Sequence, residues 1–268
     1  MTADERLNRI QAKFGRAKRH LSDLEIEVRS FLASHPYEIA TRRDTQTREV
    51  VYYATRVDDV PLAIAVITAD VLQNLRKSLD HLACELVLAA GSSPTRNSGF
   101  PIFGSIAIYK AQAPEKVQGM RKDAVDAIDA IRPYKGGNDT LWRLHGLNNI
   151  DKHRLLITVG LAYRFQSVTP KVLAYLGKAW SGRAGAWPTP ESAPSSLIEY
   201  ERRHSPLNVG DVLFIDAFDN EVHEPMKFSF DVAIGEGKIA NGLLLLETLK
   251  QMVDMVDNVI CGLRPLLT

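Results

Sequence analysis

Arg76, Asp80 and His81 lie in the run LRKSLDHL, and Asn148, Asp151, Lys152, His153 and Arg154 lie in a second run, LHGLNNIDKHRLL. An arginine can hold a phosphate oxygen through a fixed charge, and a histidine titrates near neutrality. Arg76 and His81 thus have the residue types for anion binding and for proton transfer. At about 100° per residue, Leu72, Leu75, Leu79, Leu82 and Leu86 share a narrow stripe of one helix. Arg76 and Asp80 form an i,i+4 pair on one shoulder of that stripe, while Asn74, Ser78, His81 and Glu85 lie on the far side. Arg76 and His81 are thus about 140° apart on a straight helix, and bringing them together needs a partner copy or a local distortion.

The second run predicts Asn148 and Asp151 within the apolar stripe of Leu141, Leu144 and Leu155. An amide and a carboxylate on a core face are costly unless bonded, so the expected partners are Arg76, Asp80 and His81 of a neighbouring helix. His145, Asn149 and His153 follow at i, i+4 and i+8, and Lys152 and Arg154 add positive charge for an anionic ligand. Asp80, Asn148, Asp151, Lys152, His153 and Arg154 are the candidate ligand-binding residues. The same groups would also serve as a buried hydrogen-bonded network fixing two helices. A carboxylate/histidine metal site from His81, Glu85, Asp151 and either His145 or His153 is a further alternative; no paired ligand motif supports it, and neither metal nor cofactor is expected.

The elements that must carry these residues follow from periodicity. Apolar residues at three-to-four spacing predict long helices over about Asp4–Leu32 and Pro61–Ala90, with a hairpin of Tyr37–Thr41 and Glu49–Val57 between them. Phe100-Pro101-Ile102-Phe103 reads as extended chain, followed by a third helix over about Pro114–Ile131. A fourth helix is capped by Asn138, Asp139 or Thr140, and a fifth spans about Lys238–Leu263. Strands are expected from Leu155 to Val159, Val172 to Ala179, Val209 to Phe218 and Phe228 to Ile234, with Ser181–Ser205 as a long surface loop. Gly235-Glu236-Gly237-Lys238-Ile239-Ala240 matches a loose dinucleotide pattern, but a single helix follows it, so it reads as a strand-to-helix turn. The expected architecture is a single α+β domain over 1–268: a bundle of about five helices (roughly 1–154 and 238–268) packed with a mostly antiparallel sheet (roughly 155–237).

Forty-five per cent hydrophobic and 24% charged residues in 268, with a net charge of +1, describe an ordinary globular chain and exclude disorder and coiled coil. The balance gives no global reason to expect nucleic acid, and the basic cluster Arg16–Arg19 reads as a solvated face. The start MTADERLNRI lacks an apolar leader and no run reaches a membrane span, so a cytoplasmic protein without membrane partner is expected. The two cysteines, Cys84 and Cys261, are expected as free thiols; serine-hydrolase and dithiol motifs are lacking.

LRKSLDHLACELV, FPIF, IRPY and LHGLNNIDKHRLL resemble the recurrent blocks of a large bacterial family of proteins of unknown function, over roughly Leu72–Leu156. That resemblance implies a shared fold and site and carries no activity. Arg76 to His81 is also similar to the R-x4-H signature of HEPN helical domains, many of which are metal-independent endoribonucleases; that resemblance implies Arg76 and His81 as a catalytic pair, Arg76 stabilising the phosphate and His81 acting as general acid/base for attack of a ribose 2′-hydroxyl. The expectations are therefore binding or cleavage of a phosphate-bearing ligand or RNA, a structural or interaction module, or a metal protein. Long helices are compatible with a homodimer.

Overall fold

The computed structural model describes residues 2–46, 49–153, 159–165, 207–216 and 228–268. Helix α1 (Ala3–Ala33) opens with a capping box in which Thr2 and Glu5 bond each other's backbone amides, and it buries Ile10, Phe14, Ala17, Leu21, Leu24, Val28 and Phe31. Helix α2 (Leu62–Ala89) returns beside it. The pairing is antiparallel: Asp58 N–H donates to Pro36 O at 2.8 Å at one end, and Arg6 reaches Glu85 at 2.9 Å at the other.

Strands β1 (Tyr37–Arg43) and β2 (Val50–Val57) form the hairpin that joins these helices, and β4 (Val212–Asp216) pairs with β2. A second antiparallel sheet orders β3 (Val159–Phe165), β5 (Phe228–Ile234) and β6 (Leu243–Leu244). Aromatic contacts join the two sheets: Tyr37 stacks on Phe230 with ring centroids 3.6 Å apart, and Tyr52 meets Phe228 at 5.7 Å. Helices α3 (Ile106–Lys116), α4 (Lys122–Ile131), α5 (Asp139–His153) and α6 (Leu245–Leu263), with a closing 3-10 turn at Arg264–Leu267, complete the described elements. One continuous apolar core takes side chains from α1, α2, α4, α5, α6 and both sheets.

The fold is α+β, with six helices and two small three-stranded antiparallel sheets among the described residues. Two helices differ from the sequence expectation. The third helix is two, and α3 starts at Ile106 under a Ser105 cap with Pro114 inside its last turn. Its apolar Ile106 and Ile108 are exposed, so periodicity gave no signal there. The last helix starts at Leu245, because Gly242, at φ 73°, donates to Ile234 O and turns Leu243–Leu244 onto the edge of β5. The expected strand at Val172–Ala179 and the loop at Ser181–Ser205 lie outside the described residues. Cys84 is half-buried and Cys261 exposed, both free thiols. No helix among the described residues is long and apolar enough to cross a membrane.

Candidate functional site

Arg76 and Asp80 face the chain that follows α2. Arg76 Nη2 donates to Phe100 O at 2.8 Å and lies 2.9 Å from Asp80 Oδ1, which in turn accepts from Phe100 N–H at 3.0 Å. Together they grip both backbone polar groups of Phe100, whose ring is fully buried. Gly99 makes the approach workable, because a Cβ there would stand 3.0 Å from Asp80 Oδ1. Burial pushes the Arg76 guanidinium below its ordinary value and the Asp80 carboxylate pulls it back up.

The grip extends along the motif blocks. Phe103, at the end of FPIF, donates to Pro133 O at 3.1 Å and accepts from Lys135 N–H at 3.2 Å, so FPIF lies against IRPY as a short parallel bridge. Tyr109, Tyr134 and Phe103 form a small apolar cluster above this bridge, and the Tyr109 hydroxyl donates to Asp129 at 2.5 Å. Asn138 then caps α5 through Leu141 N–H at 3.1 Å. Thus three separate sequence blocks form one continuous bracket that delivers the LHGLNNIDKH helix to the core.

His81 is exposed on the other flank of the leucine stripe. The structure therefore does not place it with Arg76, and Arg76 and Asp80 bond the Phe100 backbone and each other. Asn148 is 1% exposed, as its core-facing position predicted, but its amide oxygen and nitrogen have no hydrogen-bond partner among the described residues. Asp151 is half-buried near the end of α5. The side chains of Lys152 and His153, and all of Arg154, lie outside the described residues. Glu85, a candidate metal ligand, is 4% exposed and held by Arg6 at 2.9 Å and Arg9 at 3.6 Å. Among the described residues no group of three His, Cys, Asp or Glu is arranged to hold a metal ion.

A cleft of about 650 Å3 opens on the face of α5 next to Asn148, between that helix and the turn after β5. Gly146, Asn149 and Ile150 line one side, and Glu236, Gly237, Lys238 and Ile239 the other. Gly146 lets the turn close in, since a Cβ there would stand 2.8 Å from Ile239 Cδ1. Ile239 and Ala240 both donate to Glu236 O at 3.0 Å, which fixes the turn, while the amides of Gly237 and Lys238 have no partner among the described residues. Asn149 is oriented by a 3.0 Å contact with His145 Nε2. The lining thus brings together a lysine, a glutamate, a primary amide, the turn's backbone and two isoleucines.

Sequence reasoning missed Lys238, Glu236 and Asn149 as a group, because they come from elements about 90 residues apart and the turn has no strict phosphate-loop motif. No family model, curated protein or solved structure matches this chain.

Proposed function

We propose that the protein binds a small phosphate-bearing ligand in the cleft between α5 and the Glu236–Ile239 turn, and that the Arg76–Asp80 pair is structural. The observation that carries the reading is the cleft itself: about 650 Å3, with Lys238 on one wall beside the Gly237 and Lys238 amides, which have no partner among the described residues. That volume is in the range of small-molecule sites, which run to about 300–1,000 Å3. A lysine beside backbone amides favours an anionic group, and Asn149 brings a primary amide to the polar remainder of a nucleotide-like molecule. Ile150 and Ile239 provide apolar surface for a ring.

RNA cleavage by Arg76 with His81 draws less support, since the two side chains lie on opposite flanks of α2 and Arg76 is 8% exposed. The bracket around Phe100 favours a fold-fixing role for that motif.

Calorimetric titration of the full chain with AMP and with inorganic phosphate tests the proposal. The wild type is expected to bind AMP, and Lys238→Ala to bind it about tenfold or more weakly, the equivalent of one charge-assisted contact, with an unchanged melting temperature. Absence of binding to both probes, or equal binding by Lys238→Ala, overturns it.

A further inference from the structure

Outside the cleft, one surface concentrates charge in a way the net charge of +1 conceals. Residues 6–22 contain six Lys or Arg and no Asp or Glu. At about 100° per residue, Arg9, Lys13, Arg16 and His20 share about 60° of α1, immediately beside its buried stripe. Arg9 and Arg16 are exposed and Lys13 and His20 half-buried, so the row runs along the surface.

The antiparallel pairing fixes what lies opposite. Arg6 and Arg9 both meet Glu85, so this edge of α1 faces the Glu85 edge of α2. Within about 80° of Glu85 on α2 lie His81 and Lys77, both exposed, the half-buried Asp70, and the buried Ser78 and Asn74. With Pro36 joined to Asp58 at one end and Arg6 to Glu85 at the other, Lys13 and Arg16 stand level with Lys77 and His81. The seam between the two longest helices is therefore lined by Arg9, Lys13, Arg16, Lys77 and His81; of its carboxylates, Glu85 is enclosed by two arginines and Asp70 lies beyond Lys77, at the Asp23 end. Beyond His20 the edge turns acidic at Asp23, 4.0 Å from the histidine ring, which sets the end of the row.

We propose that this seam binds the phosphate backbone of a single-stranded nucleic acid. From Arg9 to His20 the row is about 16 Å long at 1.5 Å per residue, long enough to meet several consecutive phosphates of a strand. A regular row of cations on a rigid helix pair suits a regularly charged strand. A membrane surface would need an apolar face for insertion, and the apolar face of α1 is buried in the core. The seam and the cleft are separate surfaces, and neither proposal rests on the other.

Fluorescence anisotropy with labelled 15-nucleotide oligouridylate and oligodeoxythymidylate tests it across a salt series. Four cations on four phosphates predict a slope of log K against log salt of about −3. Lys13→Gln/Arg16→Gln should bring the slope to about −1.4 and weaken binding about 25-fold at 0.1 M salt, since each lost contact removes about 0.7 from the slope. Lys13→Arg/Arg16→Lys should keep wild-type binding, which separates charge from a folding defect. Tighter binding of one oligonucleotide assigns the strand as RNA or DNA. Absence of binding to both, unchanged binding by the Gln variant, or stronger binding to phosphatidylserine vesicles or polyglutamate overturns the proposal. Lys238→Ala leaves this binding unchanged if the two surfaces are independent.

Discussion

Replacing Arg76 with methionine keeps most of the side-chain volume and removes the guanidinium that bonds Phe100 O and Asp80. The Phe100 carbonyl then lies next to a fully buried ring without its donor, a loss of about 1–3 kcal/mol. The Asp80 side chain is 37% exposed, so water recovers much of its solvation and the lost ion pair adds at most about 1 kcal/mol. The sum is about 1–4 kcal/mol, which at about 2–4 °C per kcal/mol for a chain of this size lowers the melting temperature by about 2–16 °C. Asp80→Asn keeps an oxygen for Phe100 N–H but leaves the buried guanidinium without its counter-charge, and it should lose a similar amount. Because the two act on one backbone unit, the double variant should lose less than the sum, with a coupling of about 0.5–3 kcal/mol. Differential scanning calorimetry of the three variants gives each value. A melting temperature within about a degree of wild type for Arg76→Met, or strict additivity, would refute the bracket as a stabilising unit.

Asn148→Leu replaces a buried amide that has no partner among the described residues with an apolar side chain of similar volume, and urea denaturation should show a gain of about 1 kcal/mol; a loss would mean that the amide is satisfied in the folded protein. Gly146→Ala places a methyl group 2.8 Å from the flexible end of Ile239, so melting should change little while AMP affinity in calorimetry falls as Ile239 moves into the cleft; unchanged affinity counts against the cleft. The Tyr109 hydroxyl is pushed above its ordinary value by burial and by its bond to Asp129, so its contribution is fully present below about pH 10 and is lost as pH rises further. Tyr109→Phe should therefore cost about 1 kcal/mol at neutral pH and make the stability curve flatter above pH 10, which pH-resolved melting checks.

The long elements were legible because their apolar spacing is strict. Ile10, Phe14, Ala17, Leu21 and Leu24 of α1 are buried as the three-to-four pattern predicts, as are the leucines of α2. The alternation of Phe228 to Ile234 likewise predicts β5. Periodicity failed where an element is decided by partners remote in sequence. Leu243 and Leu244 look helical, yet they pair with β5 because Gly242 turns the chain.

The site was legible only as anomalies. Asn148 and Asp151 stood out as polar groups on an apolar stripe, and Asn148 is indeed buried. Their expected partners on α2 could not be read from the wheel, because a wheel shows which shoulder Arg76 occupies and not which segment packs there. That segment is FPIF, whose backbone takes the hydrogen bonds. The basic row on α1 was visible as Arg16–Arg19, but its meaning depends on the antiparallel partner that brings Lys77 and His81 level with it.

The most direct test of the account is a 15N-resolved NMR titration of the full chain with AMP, read residue by residue. The account predicts saturable shifts centred on Asn149, Gly237, Lys238 and Ile239, with Arg76, Asp80 and Phe100 silent. Shifts centred on Arg76, His81 and Phe100, or none at all, would contradict it.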